Sequence, residues 1–279
     1  EHEVREGINL NFSIETKRVS DSEYVPMFSP DSTRISSVKS ASIHAIGRFS
    51  WDESVNRNYF NKTYIYTKYP IIYLDFSYAP NKVFSHNYGY TRIEAKIVYN
   101  LSIPPIGTSY IDISGGKIFG KVPYTFLKIH EGNGTYFFDP QAFACMKYYE
   151  FSSDQWVQLF YSHNFKGFFL GKIPLLKRLK WREVVSLRMA YGSLTEKNNG
   201  TNFIDNSGIN TNAEKIKAYM LFPKGMTSLH TPYVEIGAGI TNIFKIFRID
   251  CFWRLTHREV YNNIKPTNFS VNFGFDFKF

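Results

Sequence analysis

NFSVNFGFDFKF, residues 268–279, places Phe269, Val271, Phe273, Phe275, Phe277 and Phe279 at alternate positions, with Ser270, Asn272, Gly274, Asp276 and Lys278 between them. A strict period of two belongs to an extended strand, whose neighbouring side chains point to opposite sides. One side of this strand is wholly apolar and the other wholly polar. Such a strand covers the core of a soluble sheet, or it faces lipid on one side and a wet lumen on the other. The choice rests on whether the pattern repeats.

It does repeat, about ten times. Leu10, Phe12 and Ile14 alternate with Asn9, Asn11, Ser13 and Glu15, and Ile43, Ala45, Phe49 and Trp51 alternate with Ser42, His44 and Arg48. IIYLDFSY sets Ile72, Leu74, Phe76 and Tyr78 against Tyr73, Asp75 and Ser77, and YTRIEAKIVYNL sets Ile93, Ala95, Ile97, Tyr99 and Leu101 against Arg92, Glu94, Lys96 and Asn100. Strands with the same two faces are expected in TSYIDISGG, DQWVQLFYSHNF, EVVSLRMAYG, YVEIGAGI and IFKIFRIDCFWRLTH. Small residues on the apolar side, such as Ala45, Ala95 and Ala238, are tolerable against lipid, whereas a packed sandwich would need large partners opposite them.

Composition narrows the class. Among 279 residues, 18% are aromatic, with 26 Phe and 20 Tyr, which suits a barrel with aromatic girdles at its two interfaces. Mean hydropathy is −0.28. The longest apolar run, GFFLGKIPLL at 167–176, is broken by Gly171, Lys172 and Pro174, far short of the roughly 20 residues of a spanning helix. The net charge of +9 is scattered along the chain instead of forming one stripe, so no nucleic-acid partner is expected. Cys145 and Cys251 offer no metal spacing, and their low number fits an oxidising compartment. EHEVREGINLNF at the start lacks the basic and apolar regions of a secretory signal, so the expectation is a processed chain or a fragment.

The connections alternate in length. Counting back from Phe279 as the periplasmic end, Thr241 and Asn242 form a short periplasmic turn, while 192–231 and 258–268 fall outside as long polar loops. The segment from Gly120 to Asp154 interrupts the strand rhythm, also on the external side. With SGGKIFG before it, and KIPLLKRLKWREVVSLRMAYGSL and YVEIGAGITNIFKIFRIDCFWRLT after it, this region resembles the C-terminal barrel of a Bacteroidota family of uncharacterised outer-membrane proteins that usually carry a carboxypeptidase-like regulatory sandwich upstream. More distantly the layout is similar to the BamA and TamA type of sixteen-stranded barrel, in which a long external loop folds back into the lumen and its tip arginine meets a carboxylate on the wall. That resemblance implies Asp154 as the wall carboxylate. The matching tip, HEGNGTY, has Gly132, Asn133, Gly134, Thr135 and Tyr136 and no arginine. The resemblance further implies Phe275, Phe277 and Phe279 as a C-terminal assembly signal, read by the machinery that inserts barrels.

The chemistry follows from the faces. Arg92, Glu94, Lys96, Asp154, Arg188, Glu235, Asp250 and Arg254 lie on the polar sides, where they either line a lumen and neutralise one another or clamp the 120–144 loop. Gly115, Gly116, Gly120, Gly132 and Gly134 serve tight bends, and Tyr64, Tyr66, Tyr69 and Tyr78 form an interfacial belt or pack loops. Lys172, Lys177, Arg178 and Lys180 fall on the periplasmic side, to dock an upstream domain, touch anionic head groups or stand solvated. The seven His include no metal-ligand spacing, no G-x-S-x-G elbow is present, and Ser162 and His163 point to opposite faces. The reading is therefore an all-β, transmembrane, antiparallel outer-membrane barrel of about ten strands, a single unit and part of a larger barrel. It carries no catalysis, cofactor or metal. Its expected role is assembly or translocation of protein or another envelope component, with outer-membrane lipids and envelope clients as partners. A loop-constricted pore or surface receptor, and a lipid hydrolase, are the alternatives.

Overall fold

The computed structural model describes residues 2–29, 31–57, 62–81, 88–199, 220–260 and 265–276. In chain order its strands are β1 (His2–Arg5), β2 (Ile8–Ser20), β3 (Ser37–Phe49), β4 (Glu53–Arg57), β5 (Lys62–Thr67), β6 (Ile71–Ala79), β7 (Tyr90–Ile103) and β8 (Gly107–Gly120). There follow β9 (Lys128–Ile129), β10 (Phe151–Ser153), β11 (Gln155–Asn164), β12 (Arg182–Ser193), β13 (Thr227–Ser228), β14 (Tyr233–Ile243), β15 (Phe247–Arg254) and β16 (Phe269–Phe275). Two short helices, α1 (Pro174–Leu179) and α2 (Glu196–Asn199), and two 3-10 turns, Tyr124–Phe126 and Leu170–Lys172, complete the described elements. No described helix is long and apolar enough to cross a membrane, which says nothing of strands.

The chain is all-β, and most of it is one antiparallel sheet of eleven strands in the order β1-β2-β3-β6-β7-β8-β11-β12-β14-β15-β16. Each large strand pairs with the next along the chain, so β1 and β16 stand at the two ends of that order. Connections 104–106 and 244–246, the segment 165–181 and the β4–β5 hairpin all lie at one end of the strands, the turn end. The longer connections lie at the other, the loop end. The turn expected at Thr241 and Asn242 falls instead at 244–246, because β14 runs on to Ile243 past a register irregularity after Ile240. Trp51 lies beyond the end of β3, and the β4–β5 hairpin has no clean alternation to announce it.

Polarity across the sheet is the reverse of a soluble core. On β16 Phe273 is 49% exposed while its neighbour Asn272 is 1% exposed; on β14 the pair is Ile236 at 41% and Glu235 at 0%. The apolar face, from Phe12 and Ile14 on β2 through Ile93, Ile113, Val157 and Val185 to Ile249, is exposed on strand after strand. An apolar surface of this continuity is far beyond what a soluble monomer shows. On β11, β12, β14 and β15 the polar face is buried because residues 121–153 and 220–229 fold over it, while Arg92, Glu94 and Lys96 on β7 keep part of their surface.

Two clusters form that cover. At the loop end Val122, Tyr124, Phe126 and Leu127 pack with Met27, Val38, Trp156, Met220, Phe222 and Met226. Deeper in, Phe143, Met146 and Phe151 pack with Phe160, Ala190, Leu229 and Tyr233, the Phe143 ring lying 4.8 Å from Phe160 and 5.2 Å from Tyr233. A small sheet, with β10 between β9 and β13, bridges the clusters. Part of the 192–231 loop, residues 200–219, lies outside the described residues, as do Phe277 and Phe279.

Candidate functional site

The 121–153 segment is a strap crossing the charged face, and the strands beneath it hold its backbone with charged side chains. Glu235, fully buried on β14, accepts hydrogen bonds from the backbone N–H of Ala144 (2.7 Å) and Cys145 (2.9 Å) and from the Tyr233 hydroxyl (3.1 Å). Its register partner on β12, Arg188, donates to the carbonyls of Ala142 and Asp139, and its guanidinium stands 3.6 Å from the Glu235 carboxylate. Arg188 also stacks 4.1 Å from the Phe252 ring. One acid thus reads two strap N–H groups, and one base reads two strap carbonyls. Charge-assisted bonds to backbone are strong, and here Arg188, Glu235, Ala142, Ala144 and Cys145 are all buried, with Asp139 alone exposed.

Further anchors extend the clamp on both sides. Arg254 donates to Glu150 Oε1 (2.7 Å) and to the Cys145 carbonyl (3.5 Å), while the Cys145 thiol points to the Phe252 carbonyl (3.5 Å). Arg248, held to Asp250 at 2.7 Å, lies 3.5 Å over the ring of Phe138. Asn272 donates to the Thr135 carbonyl (3.1 Å). Gly237 makes room for this arrangement, since a Cβ there would meet the Phe252 ring at 2.4 Å.

The strap tip reaches the edge of the sheet. Phe273 of β16 donates to the Tyr136 carbonyl (2.7 Å), and Phe138 donates to the Phe273 carbonyl (2.7 Å), so Phe137 bridges to Phe273 in parallel sense. Asn133 shapes the bend: its side chain accepts from Thr135 N–H (2.9 Å) and donates to the Phe137 carbonyl (2.7 Å). Gly132 is required where it sits, since a Cβ would lie 2.3 Å from the Lys147 carbonyl. Gly134 and the exposed Tyr136 complete the tip.

A third set of contacts ties the strap's root. His130 is buried, with Nδ1 accepting from Gln158 Nε2 (3.0 Å); the same amide donates to Glu131 Oε2 (2.9 Å), which fixes its orientation. The ring proton therefore sits on Nε2 and is given to Ser153 Oγ (2.9 Å), the wrong direction for His130 to draw a proton from that serine. Burial, and then the Lys128 ammonium, push the His130 pKa down to about 4. Burial likewise pushes the Cys145 thiol up to about 12.

The expected site residues divide by half of the sheet. Arg188, Glu235 and Arg254 converge on the strap, and Asp250 reaches it only by way of Arg248. Arg92 pairs with Glu94 (2.5 Å) and Lys96 with Asp112 (2.8 Å) on the wall itself. Asp154, expected opposite the strap tip, is fully buried at the loop end. Its carboxylate accepts from Thr195 N–H (3.0 Å), from the Thr195 hydroxyl (2.5 Å) and from Asn198 Nδ2 (2.9 Å). Asn198 bonds onward to the Val122 N–H (3.1 Å) and the Gly120 carbonyl (3.1 Å), so Asp154 reaches the strap only at its root. It cannot reach the tip because it sits at the top of β11, while the tip lies against β16 across the sheet.

Gly115 and Gly116 sit beneath Trp156 and Val157, and Gly120 ends β8 with φ at +123°. Tyr64 accepts from Asn9 (2.8 Å) and stacks on Arg48 at the turn end, where Tyr69 is exposed, while Tyr78 stands on the apolar face. The Tyr66 side chain lies outside the described residues. Ser162 faces the strap side, paired with Ser186, and His163 the other, with its Nδ1 2.8 Å from Ser109 Oγ. No cluster of three metal-ligating side chains forms among the described residues.

Arg248, Asn272, Phe138, Phe143 and Asn198 were not expected as site residues. Only the aromatic run Tyr136–Phe138 with Phe143, conspicuous inside a loop, carried a signal in the sequence. A sequence profile described as the C-terminal domain of a family of unknown function, DUF5686, matches residues 8–199. No curated protein matches the chain.

Proposed function

We propose that this chain, which belongs to the DUF5686 C-terminal domain family of unknown function, is part of a bacterial outer-membrane β-barrel whose lumen is closed by the strap. The observation that carries this is the inverted sheet: apolar residues exposed on one face of strand after strand, and Arg188, Glu235, Asp250 and Arg254 buried on the other beneath residues 121–153. Hydrocarbon tails would make that outer face favourable, and a lumen would suit the inner one. An odd count of eleven strands, with β1 at one end of the order and β16 at the other, its edge bridged only by the strap tip at Phe137, fits one portion of a larger barrel of the sixteen-stranded type. The turn end is then periplasmic and the loop end external.

Within that frame we read the protein as acting in assembly or translocation of protein or another envelope component. The strap is packed by two apolar clusters and is also held by hydrogen bonds from its backbone to Arg188, Glu235 and Arg254, contacts that water can replace once the strap lifts. A surface receptor is the second reading, favoured by a cleft of about 570 Å³ at the loop end, lined by Lys147, Phe151, His230, Arg254, His257 and Arg258.

Reconstitution separates the readings. If the barrel works as a gated conduit, purified protein floats with vesicles, conducts little, and conducts strongly once Glu235→Ala weakens the clamp. Steady conductance by the unaltered protein supports a pore. Accumulation of unfolded barrel proteins on depletion supports assembly, and a chain that stays monodisperse in plain buffer refutes the whole reading.

A further inference from the structure

Between β11 and β12 the turn end carries FKGFFLGKIPLLKRLKW, residues 165–181, a stretch with five Lys or Arg and no acid. It is a built element. Glu183 of β12 accepts from the backbone N–H of Gly167 (3.0 Å), Phe169 (3.0 Å) and Leu170, and the Lys180 carbonyl accepts from Asn242 Nδ2 (2.6 Å) on the neighbouring connection. So the Glu183 carboxylate is spent on backbone. Lys166, Lys172, Lys177, Arg178 and Lys180 form an ion pair with no other described residue.

The apolar side chains of the same element are equally unspent. Phe169, Ile173, Leu175 and Leu179 are exposed, as is Phe244 on the neighbouring turn beside Lys245, and α1 buries none of its residues. A solvated charge run would not display Leu175 at 73% exposure, and a core helix would not carry four cations in nine residues. The combination is that of an element lying in the head-group plane, apolar side chains in the acyl boundary and cations at phosphate level. It is also continuous with the apolar sheet face, since Val185 and Ile249 stand on the strands next to it.

We infer that residues 165–180, with Phe244 and Lys245, form a seat for anionic phospholipid in the leaflet at the turn end of the barrel. This rests on the membrane-barrel reading above. The cations, none of them in an ion pair with a described residue although Lys172 rests 4.1 Å over the Phe168 ring, select a net negative head group, and the exposed Phe and Leu side chains make the partner a bilayer surface instead of a free phosphate. Each cation near such a surface contributes about fivefold to binding at low salt, falling as salt rises.

The test compares the full chain carrying Leu175→Trp with the parent, whose four Trp are subtracted as background, both reconstituted in phosphatidylcholine vesicles containing phosphatidylglycerol, with bromine on one lipid or the other. The expected result is several-fold stronger quenching at residue 175 by brominated phosphatidylglycerol than its share of the bilayer predicts. The preference should vanish at high salt and in the Lys172→Gln, Lys177→Gln, Arg178→Gln, Lys180→Gln variant, which still floats. Equal quenching by both lipids overturns the seat and leaves the barrel standing. Flotation without quenching by either also overturns it, and points to an upstream domain or second copy on this face. A chain that does not float overturns the membrane reading itself.

Discussion

The two halves of the sheet carry the same alternation and use it differently. On β7 and β8 the inward charges satisfy one another across the wall, Arg92 with Glu94 and Lys96 with Asp112. On β12, β14 and β15 the inward charges leave the wall, and Arg188, Glu235 and Arg254 spend their hydrogen bonds on the strap backbone. The first arrangement neutralises a surface that water can reach. The second replaces water, so its members are buried and depend on the strap's being there. A polar face is therefore two kinds of object, and removing one charge should cost little in one half and much in the other.

The sharpest way to break this contrast is Glu235→Ala. It leaves Arg188 without its counter-charge and strands the N–H groups of Ala144 and Cys145. Breaking a buried pair by removing one partner costs about 3–5 kcal/mol. We expect loss of hydrogen-exchange protection across residues 139–146, and new protease cleavage there in detergent, with the exchange of β7 and β8 unchanged. Retained protection in the strap would show that the apolar cluster around Phe143 holds it without the clamp.

Acid gives the next largest effect. His130 has a folded-state pKa of about 4 against an ordinary 6.5, so the docked strap binds fewer protons than the released one between those values. Stability therefore rises with pH through this window: docking is fully present above about 6.5 and is lost as pH falls toward 4, by up to about 3 kcal/mol. Protonation puts a donor on Nδ1 facing the Gln158 donor, beside the Lys128 ammonium. Strap exchange should accelerate below pH 6.5, and His130→Gln should flatten that dependence. A smaller effect is expected from Gly237→Ala, whose new methyl overlaps the Phe252 ring under Arg188. Overpacking of this kind costs about 1–3 kcal/mol, read as a lower unfolding temperature in detergent.

The alternation made most of the sheet legible. Phe269 to Phe275, Ile93 to Tyr99 and Val234 to Ile240 each stand on the face that period two assigns them, because a barrel-type sheet fixes polarity residue by residue along every strand. The site was legible only in part. Period two says that Arg188 and Glu94 point inward alike, but what each meets there depends on where a non-periodic strap runs, and that path is set by contacts between residues far apart in sequence. Asp154 shows the limit: its position before β11 was visible, yet its partners, Thr195 and Asn198, lie on a connection whose course no local pattern encodes. The short β4–β5 hairpin and the strap's small sheet escaped for the same reason, lacking alternation of their own.

The smallest predicted effect is the control on which the contrast depends. In the Arg92–Glu94 pair both side chains keep part of their surface, 30% and 18%, and both sit on one strand at positions two apart. Glu94→Gln keeps the shape and still offers an oxygen to Arg92, whose guanidinium also lies 5.1 Å from the Trp156 ring. A pair of this kind contributes at most about 1 kcal/mol, less as salt rises. The variant should leave strap exchange, protease resistance and vesicle flotation where they were, with an unfolding temperature within a few degrees of the parent. If Glu94→Gln instead released the strap as Glu235→Ala is expected to, the wall charges of β7 would be coupled to the plug through Trp156. The division between a self-neutralised half and a clamped half would then give way to one continuous polar network around the lumen.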